Sequence, residues 1–103
     1  MATYVTYTFP EHNSGDTFPG VAFTATLNDE AMSLVGAIIK MYVSDKVYST
    51  TTGEIQITDA AGGKFQVKEQ IIVLPALTHT YEIEVTFSTG KVRTYAKGTW
   101  TIT

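Results

Sequence analysis

Residues 81–103 read YEIEVTFSTGKVRTYAKGTWTIT. Tyr81, Ile83, Val85 and Phe87 alternate with Glu82, Glu84 and Thr86. After Ser88-Thr89-Gly90, a second alternation puts Val92, Thr94, Ala96, Gly98, Trp100 and Ile102 in one row. Side chains with a period of two lie on opposite faces of a strand, so this stretch is two long strands around a tight turn, each with one apolar face. Matching those faces sets Phe87 opposite Val92 and Glu82 opposite Lys97, and leaves Glu84 diagonal to Arg93. Opposite charges across the wet face support such a register by roughly a few tenths of a kcal/mol per pair. Trp100, the only tryptophan, falls on the inner row. Burying a side chain of that size favours folding by roughly 3 kcal/mol, so the last strand is read as structural and Trp100 as a plug at one end of the core.

The same period runs through the rest of the chain. Thr3 to Phe9 reads TYVTYTF, and Val21 to Leu27 reads VAFTATL with Val21, Phe23, Ala25 and Leu27 on one face. Ile39, Met41 and Val43 form a further inner row, as do Ile55 with Ile57 and Phe65 with Val67. Turn chemistry separates these runs: Pro10 to Gly20, Asn28-Asp29-Glu30, Thr50 to Gly53, and Asp59 to Gly63 with its two glycines. Glu30 to Val35 has room for one helical turn, and nothing longer reads as helix. About seven to nine short strands with regular turn signals argue for a single all-β domain over 1–103, an antiparallel β-sandwich. Period two leaves a closed barrel as the alternative. Leu74 to Tyr81 leads into a strand in the manner of the tyrosine corner, with the Tyr81 hydroxyl bonding nearby backbone; the other reading makes Tyr81 an aromatic at the edge of the core.

Bulk properties narrow the function classes. Of 103 residues, 44% are apolar and 17% charged, which is low in charge for a globular chain. No run approaches the roughly 20 apolar residues of a spanning helix, so no membrane partner is expected. MATYVTYTF lacks a basic stretch followed by an apolar block, so no signal peptide is expected. The net charge is −3 and the seven basic residues are scattered, which argues against nucleic acid. The absence of cysteine removes disulfides, thiolate metal sites and thiol nucleophiles together.

No residue pattern announces catalysis, a cofactor or a metal. Glu11, His12 and Asp16 would be the ligands of a metal reading, but Glu11-His12-Asn13-Ser14-Gly15-Asp16 is better read as a solvated turn. His79, the other histidine, is read as a loop residue. Glu82 and Glu84 share a strand face, yet they sit against Lys97 and Arg93 in water rather than flanking a scissile bond. The glycines of Asp59-Ala60-Ala61-Gly62-Gly63 precede no helix that would hold a phosphate. Abundant threonine reflects strand propensity, with no base and orienter to make a nucleophile. Tyr42, Tyr48 and Tyr95 fall on outward faces in this register. Outward tyrosines suit a protein interface or stack on sugars, so these three are the candidate interface residues.

Several segments together resemble a known family: Gly15-Asp16-Thr17-Phe18, Phe23-Thr24-Ala25-Thr26-Leu27, Leu34 to Met41, Ile55 to Phe65, Leu74-Pro75, Tyr81-Glu82-Ile83, Thr86-Phe87, Gly90 to Tyr95, and the closing Gly98-Thr99-Trp100-Thr101-Ile102. In this order they are similar to small phage and prophage proteins related to the N-terminal domain of tailed-phage baseplate upper proteins. At the corner, Leu77-Thr78-His79 stands where that family has a shorter glycine connection. The resemblance implies an immunoglobulin-like β-sandwich and a non-enzymatic structural protein of a phage particle, in the tail, baseplate or fibre-attachment region. It would be made in the bacterial cytoplasm, dock other phage structural proteins or copies of itself, and carry no cofactor. Docking would use a sheet face or an edge strand, Thr3 to Phe9 or Val92 to Ile102. A carbohydrate- or host-surface-binding sandwich module is the alternative, motivated by the outward tyrosines.

Overall fold

The computed structural model describes residues 5–27, 30–44 and 46–103. Within them the strands are β1 (Val5–Thr6), β2 (Phe9–His12), β3 (Thr17–Phe18), β4 (Val21–Thr24), β5 (Thr26–Leu27), β6 (Glu30–Ala31), β7 (Ile38–Val43), β8 (Lys46–Ser49), β9 (Ile55–Asp59), β10 (Lys64–Val67), β11 (Gln70–Ile71), β12 (Leu77–Thr86) and β13 (Val92–Ile102). Five of these are two-residue pieces, and eight run four residues or more. The fold is all-β and sandwich-like. A large sheet runs β1-β13-β12-β7-β8, with β2 also on β13, and a three-stranded sheet runs β4-β10-β9. Short pairs β11-β3 and β5-β6 complete it. Glu30 and Ala31 form β6 against β5 instead of the expected helical turn.

The β12–β13 hairpin carries the alternation read from the sequence, with Glu82 opposite Lys97. The register shifts between Ile83 and Glu84, however, so that Ile83 faces Ala96 while Glu84 faces Thr94. Tyr95 is the extra residue of a β-bulge, and a bulge reverses the facing of everything beyond it. Ala96, Trp100 and Ile102 are therefore buried as expected, while Val92 is exposed and pairs with Thr86 rather than Phe87. Arg93 lies opposite Val85, not diagonal to Glu84 on the wet face.

Not every pair is antiparallel. β1 and β2 run parallel to β13, with Val5 beside Ala96 and Phe9 beside Trp100. Some ninety residues separate them in sequence, so no hairpin turn dictates their direction. The candidate edge Val92 to Ile102 is consequently not an edge: β12 flanks it on one side and β1 and β2 on the other. Of the other candidate, Thr3 to Phe9, residues 3 and 4 lie outside the described residues, and the remainder runs along this border of the sheet.

Aromatic rings link the two layers. Trp100 packs on Phe9 and Phe18 with centroids 4.9 and 5.0 Å apart. Tyr7 sits edge-on to both Phe9 and Phe23, at 5.3 and 5.6 Å. Phe23 stacks on Phe65, which meets Tyr95 edge-on. Around this chain of rings lie the fully buried Leu34, Ile39, Met41, Val43, Leu74 and Ile83. The Tyr81 hydroxyl donates to the Tyr7 carbonyl, so it ties down the N-terminal segment and is not a corner tyrosine bonding nearby backbone. That crossing explains Gly98: a Cβ there would collide with the Tyr7 carbonyl oxygen.

Candidate functional site

The three candidate tyrosines separate. Tyr42 lies on the outer face of the large sheet and is exposed. Tyr48 and Tyr95 are only 8% and 7% exposed, which overturns their outward placement. The bulge turns Tyr95 inward, where its hydroxyl donates to the Thr24 carbonyl at 3.1 Å and its ring closes on Phe65. Tyr48 pairs with the fully buried Met41, so the inner face of β7 fixes its own facing. Burial pushes the Tyr95 hydroxyl above its ordinary acidity range, and burial together with the nearby Glu54 charge does the same to Tyr48. Neither is available to a ligand.

The histidines are structural. His12 lies in β2, not in a solvated turn, and its Nδ1 accepts the Trp100 indole N–H at 3.1 Å. That bond requires an unprotonated Nδ1. His79 lies in β12 and is 1% exposed, which corrects its reading as a loop residue. Its Nε2 lies 2.9 Å from the Pro75 carbonyl, an acceptor only, so Nε2 carries a proton; Nδ1 meets the Ser44 hydroxyl. The structure brings no three His, Asp or Glu side chains together as a metal site among the described residues. Glu82 accepts the Thr94 hydroxyl at 2.8 Å on the outer face. Asp59 receives the Gly62 N–H within its turn, at 3.1 Å.

What the fold does assemble is a surface. On the outer face of the large sheet, Val47, Tyr42, Glu82 and Lys97 follow one another across β8, β7, β12 and β13. Two residues along, Lys40, Glu84 and Thr94 form a parallel row, and beyond it Ile38, Thr86 and Val92 form a third. Ile38, Tyr42, Val47 and Val92 are all exposed, Val47 by 50% and Val92 by 59%. A shallow depression of about 430 Å³ lies among Tyr42, Ser44, Thr80, Glu82 and Lys97, floored by Tyr81 and Gly98. Sequence reading missed Val47 and Val92. Val47 sits on a strand too short to show its phase, and the bulge hid that of Val92.

The border of this face at β8 is tied off at its Ser49 end. The Ser49 N–H donates to Glu54 Oε1 at 3.2 Å, and the Ser49 carbonyl accepts the Gly53 N–H at 3.1 Å. The Thr52 hydroxyl also donates to Glu54. That bond, helped by the Ser49 N–H and opposed by slight desolvation, holds the Glu54 carboxyl below its ordinary range.

No protein-family model and no curated protein matches this chain.

Proposed function

We propose that this chain is a non-enzymatic structural protein of a phage or prophage particle, of the tail, baseplate or fibre-attachment region, that works by docking other structural proteins. The observation that carries the docking reading is the outer face of the large sheet. Ile38, Tyr42, Val47 and Val92 expose apolar surface there among the charges of Lys40, Glu82, Glu84 and Lys97. An exposed aromatic ring and aliphatic side chains interleaved with charges make this face mixed in the way that non-obligate interfaces are, with the Tyr42 ring as its anchor. The particle itself enters through the sequence resemblance, whose implied sandwich agrees with the all-β layers. Quantitative mass spectrometry of purified particles from a producing strain tests the reading. A fixed copy number per particle is expected, and a chain present in the lysate yet missing from particles would refute it.

A second reading has one observation in its favour. The depression beside Tyr42 joins an exposed ring to Ser44, Thr80, Glu82 and Lys97, groups that suit a hydroxylated ligand. On this reading the chain is a carbohydrate- or host-surface-binding module. Titration of cell-wall sugars against the tyrosine signal of wild type and Tyr42→Ala separates the two, and a flat wild-type titration rejects the second.

A further inference from the structure

β9 borders the three-stranded sheet on the side away from β4. The Lys68 N–H donates to the Glu54 carbonyl at 2.8 Å, just ahead of the strand. Backbone groups in an antiparallel ladder turn toward the same neighbour at every second residue. Gln56, paired with Gln66, therefore turns its N–H and carbonyl toward β10, and Ile55 and Ile57 turn theirs outward. Among the described residues nothing bonds those four outward groups. Further on, the strand is tied off, where the Ala60 carbonyl accepts the Leu34 N–H at 2.7 Å. A depression of about 300 Å³ lies against the open stretch, lined by Thr50, Gly53, Ile55, Gln56, Ile57 and Lys68.

The contrast with β8 is the informative part. Natural sheet edges are blunted by charge, proline, bulges or a covering loop. β8 has the outward groups of Ser49 covered by Glu54 and Gly53 and carries the charge of Lys46, whereas Ile55-Gln56-Ile57 has no such cover, no charge and no proline. The register shift of β9 comes at Thr58, past the open stretch.

We propose that β9 docks a second copy of this chain, strand against strand and antiparallel, about a two-fold axis at Gln56. In that register Ile55 of each copy exchanges both backbone bonds with Ile57 of the other, so all four outward groups are used. Gln56 meets its own counterpart, and Glu54 falls opposite Thr58, so no like charges face each other. Two three-stranded sheets become one of six strands. A partner strand of other sequence would need no such self-complementary register; the absence of like-charge conflict at every position favours the second copy. The inference rests on the reading of the chain as a docking protein and names one of its partners.

A strand pair this short is a weak interface, with a dissociation constant of about 0.1–1 mM. Sedimentation equilibrium of the full chain through that range tests it. Wild type is expected to rise from the mass of one chain toward that of two. Gln56→Lys and Gln56→Glu, exposed substitutions checked for native circular dichroism, each place like charges across the axis and weaken pairing by about fivefold. An equimolar mixture of the two is expected to restore it. Ile57→Pro removes an outward donor without taking a bond from β10 and is expected to abolish pairing. A chain that stays single throughout, association indifferent to the Gln56 variants, or a mixture that fails to recover would each overturn the proposal. These results stand apart from the particle measurement: a chain found in particles but single in solution sinks only the β9 pairing, and a pairing chain missing from particles sinks only the particle assignment.

Discussion

At Gly98 a single missing atom makes room for one segment to cross another. Its missing Cβ lets the Tyr7 carbonyl pass over β13 and receive the Tyr81 hydroxyl. Gly98→Ala is expected to cost at least about 3 kcal/mol in a urea melt, because backbone rather than a pliable side chain must give way. Trp100 is the counterpart in the core. Its indole both packs on Phe9 and Phe18 and donates to His12. Trp100→Phe loses that bond and part of the contact, and a cost of about 1–3 kcal/mol is expected, read by thermal and urea unfolding. The sequence announced the inward Trp100 because its alternation is unbroken from Ala96 onward. It could not announce the bond to His12, made across 88 residues of chain. His79 was hidden for the opposite reason. A buried histidine has no periodic signature, and only the carbonyl of Pro75 and the hydroxyl of Ser44 reveal why it is tolerated.

At the scale of elements, β12 and β13 set the molecule, and the bulge at Tyr95 sets its surface. The strands were legible because each keeps a period of two over many residues. One inserted residue exchanged the roles of Tyr95 and Val92, and with them a candidate interface residue was lost and an exposed valine gained. Tyr95→Phe is expected to cost about 1 kcal/mol through its bond to Thr24, and to leave assembly unchanged, since the ring does not reach the surface. Proline separates central strands from edges in the same manner. Ile83→Pro lies in β12, paired on both sides by β13 and β7, and should cost about 3 kcal/mol or more, a large share of the stability of a domain of this size. The open border of β9 was not legible, because which strand ends a sheet depends on the order of strands and not on any one strand.

The whole molecule responds to pH through its buried phenols. Tyr48, Tyr81 and Tyr95 are all held above the ordinary phenol range, first by burial; the charge of Glu54 adds to this at Tyr48, and the charges of Tyr7 and Tyr95 at Tyr81. A phenol whose acidity is weakened by folding contributes stability in full below its unfolded value, near pH 10, and loses it as pH rises beyond. Urea stability should therefore be level through neutral pH and fall above about pH 10, with tyrosinate absorbance and tryptophan emission changing together. Glu54 acts in the reverse direction. Its lowered carboxyl stabilises above the unfolded value and loses that contribution as pH falls through its folded one. Being largely in water, it should shift the acid transition only slightly.

Docking by defined surfaces is the claim on which the functional reading stands, and hydrogen exchange tests it most directly. Amides of the chain within purified particles would be compared with those of the free chain at high dilution. The expected result is new protection on β7 and β8, beneath Ile38, Tyr42 and Val47, and at Ile55 and Ile57 on β9. Identical exchange in both states, or protection confined to other surfaces, would contradict the account.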